Sequence, residues 1–485
     1  MAKKDYTVPI EIRKYKPKGT MVKKLPGGYY VYEYKNIKDE KTGKWKIKMG
    51  SLIGTIKEGI GFIPNSNKNY LTDITACDYG QYTIVLANTQ NTLQELINVF
   101  NKEDAYTIYV ISVIHLVNGF VYLKNINEYF EQSYLSIKYP ALKLGYTSLS
   151  TLIESLGRNQ TNVEKFQQQL IDNSSKELAI DGHMIKNASY QNDLAAYGNK
   201  YSKFNEMQIN VLMVYDIVTE QPLTSRIFNG AMLDKSSVQE LLCEYEFKNV
   251  LFIVDRGFYS KQNISLFSSN GNSYIIPLSE NLVTYKKVIA NMVLKDRFIY
   301  QKGKKKTIIE YKENIIKETG KRVIIFRDMN QNIIEQEDYL SKIGINEHFT
   351  NEKFEEIKEY FGVIVLETNI SEETTPKEIF SKYKERWKIE TFYNYFKNKA
   401  EFEGLYQDNY YKTQGLAFIM LIVGRLYEEM RKKIKNKGYE NISDCILEMK
   451  KIKLIKIKGN WKKSNVTNKS LEKLEKLGVD LSEEI

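Results

Sequence analysis

Cysteine and proline are scarce in this sequence, and no apolar stretch is long. The three cysteines, Cys77, Cys243 and Cys445, lie far apart in a chain of 485 residues. Their spacing supports neither a disulfide framework nor a zinc site. The most apolar runs are "YVISVIHLV" and "LAFIMLIVG". Both fall well short of the ~20 residues that cross a bilayer, and the second soon meets Arg425 and "YEEMRKK". They read as buried core helices. The opening "MAKKDYTVPIEIRKYKPKG" has no apolar segment of the secretory kind. The expectation is a soluble, cytoplasmic protein with no membrane partner. With only 8 prolines and abundant Lys, Ile, Asn and Tyr, the composition also fits an AT-rich genome.

What the chain does have is length and positive charge. At 485 residues it exceeds one hydrophobic core, so roughly three domains are expected. Its 71 Lys and Arg against 60 Asp and Glu leave a formal charge of +11, which points to an anionic partner such as nucleic acid. The excess is small for this length and names no particular polyanion.

Periodicity divides the chain further. Residues 1–90 form an amino-terminal β-hairpin region, with "GGYYVYEYKNIKDEKTGKWKIKMGSLIG" alternating about a "KDEKTGK" turn. This basic, aromatic strand pair is a candidate DNA contact or one face of an ordinary small sheet. Residues 91–170 read as a helical DNA-binding or linking region. From 171 to 279 the order is three strands, helix, strand, helix, strand: "KELAIDGHMI", "MQINVLMVYDIV", "QPLTSRIFNG", "DKSSVQELLCEYEF" with Asp234 as its N-cap, "KNVLFIV", "YSKQNISLFSS" and "SYIIPL". A mixed sheet covered by helices is the packing this order favours. Residues 280–360 read as a β-rich insertion of two hairpins turning at "KGKKK" and "DMNQN". The pattern of the sheet domain resumes over 361–435, and 436–485 reads as a basic helical tail.

The helix in "SKYKERWKIETFYNYFKNKAEFEG" carries the most informative spacing. At ~100° per residue, Arg386, Glu390 and Lys397 fall about −60°, −20° and −40° from Tyr383, one narrow polar stripe. Ile389, Phe392 and Phe396 fall on the opposite side, an apolar face suited to a sheet. Trp387 lies at about +40°, placed either to stack on a base or to pack at the domain edge. Taken alone, the stripe is equally a solvated face with an i,i+4 ion pair between Arg386 and Glu390.

Two aspartates shift that balance. Asp181 sits on the first strand, in "ELAIDGH", and Asp255 ends the buried fourth strand, in "LFIVDRGFYS". Either alone is an ordinary turn residue. First and fourth strands are neighbours in a sheet of this order, and ligands gather at carboxyl ends of such strands. A helix packed beside them presents Glu390 to the same point. Three carboxylates in one place repel unless a cation intervenes. Hard oxygen donors select Mg²⁺, with Mn²⁺ as a substitute, and two such ions stabilise attacking and leaving oxygens in phosphoryl transfer. Arg386 and Lys397 are then suited to hold phosphates. His183, two residues after Asp181, reads as a structural or supporting histidine. Tyr393 and Tyr395 read as packing residues.

With these residues in place, the sequence resembles the DDE transposases of bacterial insertion sequences, in the group marked by Tyr-x2-Arg-x3-Glu-x6-Lys. Tyr383, Arg386, Glu390 and Lys397 match at every position, "AIDGH" resembles the first-aspartate block and "VDRGFYS" the second. The resemblance covers most of 175–430 and leaves the last ~50 residues unassigned. It implies a ribonuclease H-like α/β domain, a mixed sheet flanked by helices and interrupted by the β-rich insertion. It also implies catalysis by Asp181, Asp255 and Glu390 on two Mg²⁺ ions, with Tyr383, Arg386, Lys397 and Trp387 on DNA. Further implications are a homodimer on paired transposon ends, cut-and-paste transfer into target DNA, and in some members a hairpin intermediate. Such a protein would associate with the nucleoid. Rivals are a ribonuclease H-like repair nuclease, which need not carry the Tyr/Arg/Lys stripe, and a domesticated DNA-binding relative, which typically lacks one carboxylate.

Overall fold

The computed structural model describes residues 7–38, 43–65, 74–186, 192–198, 206–232, 234–316, 320–398 (side chains to 395), 409–435, 437–439, 441–457, 459–464 and 467–479. The chain divides into two compact units, one of residues 1–76 with 455–462, the other of 77–454 with 463–485.

The first unit is built on a four-stranded antiparallel sheet, β1 (Thr20–Leu25), β2 (Gly28–Lys38), β3 (Trp45–Lys57) and β4 (Gly61–Pro64), in the order β1-β2-β3-β4. The expected pairing of β2 with β3 is present. Its core is small: Ile12, Val31 and Ile56, with Val8, Val22, Tyr29, Ile53 and Phe62 packed around them.

A short strand β5 (Ile74–Asp78) runs across the boundary into the second unit, where helices follow between Gly80 and Asp172. The helix Lys102–Asn118 contains "YVISVIHLV" and is buried from Ile108 to Leu116. The helix Tyr410–Lys435 contains "LAFIMLIVG" and is buried without a break from Thr413 to Leu426. Among the described residues no single helix is long and apolar enough to cross a membrane. The long helix crosses Tyr146–Arg158 at close range because both carry glycine at the crossing. A Cβ on Gly157 would lie 1.9 Å from the Tyr411 carbonyl oxygen, and one on Gly415 1.9 Å from that of Ile153.

The large sheet has nine strands: β6 (Glu177–Lys186), β7 (Gln208–Asp216), β8 (Gln221–Asn229), β9 (Leu251–Val254), β10 (Ser273–Pro277), β11 (Asp296–Lys302), β12 (Lys305–Ile316), β13 (Lys321–Asp328) and β14 (Val363–Thr368). Their order is β11-β12-β13-β14-β10-β9-β6-β7-β8. β7 pairs antiparallel with β6 and β8, while β9 runs parallel to β6 and β10. Residues Phe252–Val254 are buried, as a central parallel strand covered on both faces requires. The sheet is thus mixed and flanked by helices.

Three expectations are corrected. Residues 280–360 form the hairpin turning at "KGKKK", β11 with β12, but not one at "DMNQN": that stretch starts a helix, Met329–Leu340, because the Asp328 carboxylate accepts from the amides of Asn330 and Gln331 as an N-cap. β11, β12 and β13 then continue the main sheet through β14. The tail is not purely helical: β15 (Lys453–Ile457) and β16 (Asn460–Ser464) separate the helices Ile442–Met449 and Asn468–Lys476. Lastly, Asp234 lies inside the first turn of the helix Asp234–Glu244, one step further in than an N-cap.

Candidate active site

Strand register places the two aspartates together. Ile180 of β6 pairs with Val254 of the parallel β9, so Asp181 and Asp255 follow on adjacent strands ~4.8 Å apart. Asp255 ends its strand as expected, and its carboxylate accepts from the Arg256 amide at 2.7 Å. Asp181 is not at a strand end: β6 continues to Lys186 along β7. Its carboxylate accepts from the Gly182 amide at 3.0 Å.

The signature segment begins on a strong cap. Thr375 and Glu378 form a reciprocal capping box, and Pro376 opens the helix Pro376–Glu385. The expectation of one continuous helix through the motif is corrected, for the second helix, Trp387–Asn398, starts after a tightened turn at Arg386. There the Arg386 amide bonds to the Tyr383 carbonyl and the Ile389 amide to the Arg386 carbonyl, both at 3.1 Å. These i→i+3 bonds draw Arg386 inward relative to an ideal α-helix. The second helix buries Ile389 and Phe392 completely or nearly so, each worth about 1.5–3 kcal/mol. Phe392 packs on Tyr215 of β7, ring centroids 5.4 Å apart.

Tyr393 fixes the helix to the sheet at the site itself. Its hydroxyl donates to the backbone carbonyl of Asp181 at 3.0 Å, and its ring stacks on His183 with centroids 5.2 Å apart. The sequence reading assigned Tyr393 to packing and so missed its hydrogen bond to the very residue that bears the first carboxyl group. Tyr395 does pack, stacked on Tyr427.

Arg386 stands among the acids. Its Nη2 lies 2.5 Å from Glu390 Oε1, with side chains only 14% and 28% exposed. Its Cζ is 6.0 Å from the centre of the Tyr383 ring. Burial pulls the guanidinium pKa down, but the charges of Tyr383, Asp255, Glu390 and Asp181 together push it above its ordinary value. Asp181 shows the converse. Burial raises its pKa to about 7; Arg386 and the Gly182 amide oppose this, while Glu390 and Asp255 add to it. The ion pair between Arg386 and Glu390 sits in the field of both aspartates.

A fourth carboxylate, Asp234, escaped the sequence reading. Its oxygens are 3.5 Å and 3.6 Å from the positions a Cβ would take on Gly182 and Gly257. Burial, then the charge of Asp255, raises its pKa. The signal available in sequence was an acidic first helical turn feeding the strand that ends in Asp255.

Oxygen donors of this kind suit Mg²⁺ or Mn²⁺, so the chemistry of the set fits a divalent ion. Among the described residues, however, no group of three or more His, Cys, Asp or Glu is gathered closely enough to hold one as placed, and Glu390 is turned to Arg386. Trp387 is 55% exposed and its ring is not a core element. Lys397 belongs to the second helix, and its side chain lies outside the described residues.

No curated protein matches the chain. A solved piggyBac transposase synaptic complex with hairpin DNA is similar over 76% of each chain, at 12% identity and a TM-score of 0.37, a likeness too slight to bear on fold or function. The sequence profile of the family described as "Transposase DDE domain" matches residues 172–420, just over half of the chain and the segment that holds Asp181, Asp255 and Glu390. The protein belongs to the transposase DDE-domain family.

Proposed function

We propose that the protein is a cut-and-paste transposase of the bacterial insertion-sequence group marked by Tyr-x2-Arg-x3-Glu-x6-Lys, acting on double-stranded DNA at transposon ends and target. The observation that carries this reading is the register Ile180↔Val254 beside a signature helix tied to Asp181 through Tyr393. The strand order β8-β7-β6-β9-β10, antiparallel on one side of β6 and parallel on the other, supports a ribonuclease H-like description of the catalytic domain.

In this reading Asp181, Asp255 and Glu390 hold two divalent ions, Mg²⁺ or its substitute Mn²⁺. Bound there, the ions supply the charge that activates a water or a DNA 3′-hydroxyl and stabilises the leaving oxygen. Glu390, paired with Arg386 in this structure, would complete the carboxylate set that holds the ions, and Arg386 would meet a DNA phosphate, for which its planar fork is suited. Lys397, near the far end of the second helix, is assigned to a second phosphate. The Tyr383 hydroxyl, kept protonated by burial, donates to the same strand. Trp387, exposed beside them, is placed to stack on a base. Asp234, against Gly182 and Gly257, helps orient the loop after Asp255. A homodimer on paired ends, working in the cytoplasm on nucleoid DNA, completes the proposal.

The test is excision of a marker flanked by the DNA that borders this gene, carried on a supercoiled plasmid and incubated with the purified protein and Mg²⁺. Linear marker fragments with ends at short inverted repeats are the expected product. A plasmid left intact under conditions in which the protein binds those ends would overturn the reading.

A further inference from the structure

The first unit contains a feature that its own fold does not use. β1 pairs with β2 only up to Glu33, and β4 pairs with β3 only from Gly54 onward. Beyond those limits, the strand pairing of 34–38 and 45–49 among the described residues is with each other, from Tyr34↔Met49 to Lys38↔Trp45. They form a two-stranded arm that leaves its sheet at two register shifts, between Val31 and Tyr32 and between Tyr32 and Tyr34. Such bulges bend and twist a ribbon away from its parent sheet. The connection 39–42 lies outside the described residues.

The arm is chemically two-faced. Cross-strand partners share a face, so Lys35 with Lys48 and Ile37 with Lys46 make one side, and Tyr34 with Met49, Asn36 with Ile47 and Lys38 with Trp45 the other. Trp45 is 70% exposed and Ile47 61%. An isolated ribbon gains little stability from such residues, and apolar side chains held in water mark a contact surface. From 34 to 49 the sequence holds six lysines against Asp39 and Glu40, a net +4 in a chain whose total is +11. At its base, a cleft of about 290 Å³ lined by Tyr34 and Ile47 adds two more cations, Arg13 and Lys16.

We propose that this arm is a β-ribbon that lies in a groove of duplex DNA. A two-stranded ribbon matches the ~12 Å width of the major groove. Trp45 and Ile47 turn to sugars and base edges, while the lysines, long enough to reach round the ribbon's edges, meet the flanking phosphates. Its charge selects a polyanion and its apolar face separates a groove binder from a simple phosphate contact. The proposal rests on the transposase reading for its choice of duplex DNA, and it assigns to the arm a share of affinity that is independent of the carboxylates.

The experiment uses the full-length protein with fluorescent duplexes of about 40 base pairs, tiled across the DNA bordering its gene, beside one random duplex of equal length and vesicles of anionic lipid. The variants are Lys35→Ala/Lys46→Ala/Lys48→Ala and Trp45→Ala, with melting temperatures taken alongside. The triple variant is expected to bind every duplex about tenfold more weakly, with the slope of log K against log salt reduced by about 2–3, near 0.9 per lost phosphate contact. Trp45→Ala is expected to weaken the tightest duplex more than the random one. Unchanged affinity and slope in the triple variant, at unchanged melting temperature, would overturn the arm and leave the catalytic reading standing. Loss of vesicle binding with unaltered DNA binding would overturn it in favour of a membrane contact. Arm-dependent binding by a protein that cuts nothing would sink the catalytic reading and leave the arm. A wild type that binds no duplex sinks both.

Discussion

The phenolic hydroxyl of Tyr393 donates to the backbone carbonyl of Asp181 across 3.0 Å, joining the signature helix to the strand that carries the first aspartate. Glu390 lies three residues earlier on the same helix, almost one turn away, so this bond sets how deeply Glu390 approaches β6. Tyr393→Phe leaves a buried carbonyl without its partner, which costs about 1–3 kcal/mol. The expected outcome is a melting temperature lower by a few degrees and cleavage reduced more than the Kd for DNA. Cleavage at the wild-type rate would show that the helix is held by Ile389 and Phe392 alone.

The buried Asp181 carboxyl gives the metal-free protein a distinctive pH response. Its pKa stands at about 7 against an ordinary 3.8, so the folded state holds a proton that the unfolded chain has already released. Stability from this group is full below about pH 4, falls as pH rises toward about 7 and is then level. Asp181→Asn removes the titration. In EDTA its melting temperature should gain on the wild type from pH 5 to about pH 7 and then hold level; a constant difference between pH 5 and pH 7 contradicts the assignment.

Arg386 is the internal counter-charge of the site, and the polar stripe makes graded predictions. Arg386→Gln should lower the melting temperature in EDTA at pH 8, and Mg²⁺ should restore more of it than it adds to the wild type, by linkage to the better binder. Arg386→Ala should damage cleavage more than Tyr383→Phe, which loses one hydroxyl. Lys397→Ala should reduce cleavage with the melting temperature unchanged, since its charge is assigned to DNA and not to the fold. Wild-type cleavage by Lys397→Ala removes that residue from the mechanism.

Away from the site, the crossing of Tyr146–Arg158 with Tyr410–Lys435 depends on glycine. A Cβ on Gly157 would stand 1.9 Å from the Tyr411 carbonyl oxygen, so the helices must separate to admit it. Gly157→Ala should destabilise by about 1–3 kcal/mol or more, read as a lower midpoint in urea. An unchanged midpoint would mean that the two helices slide apart at no cost.

The order of strands from β6 to β10 was legible because each strand is short, strongly apolar and bounded by turn residues, and because the helices between them carry their own period. The adjacency of Asp181 and Asp255 was legible in their place on the first and fourth strands, while Glu390 was singled out by its spacing from Tyr383, Arg386 and Lys397. What escaped depends on contacts between distant segments. Asp234 reaches the site only because its helix runs beside Gly182 and Gly257. Tyr393 looks like any helical aromatic until its hydroxyl is seen on Asp181. The tightened turn at Arg386 leaves no mark in local propensity. Asp328 was ambiguous, since aspartate before a polar stretch starts a turn or caps a helix equally well. In the tail, "KLIKIKG" alternates as a strand does, a short signal beside the helical pattern of "SLEKLEKLG" that follows it.

The central claim is that Asp181, Asp255 and Glu390 act as one metal-dependent site. The most direct test is Mg²⁺-dependent strand cleavage of a duplex from the gene's border, measured for wild type, Asp181→Asn, Asp255→Asn and Glu390→Gln at equal DNA occupancy. The account predicts that each single change lowers cleavage by about a thousandfold or more, ~4 kcal/mol of transition-state stabilisation, while Kd for the duplex stays within a few-fold of wild type. Cleavage by Glu390→Gln within tenfold of the wild type, at the same Mg²⁺ concentration, would contradict it.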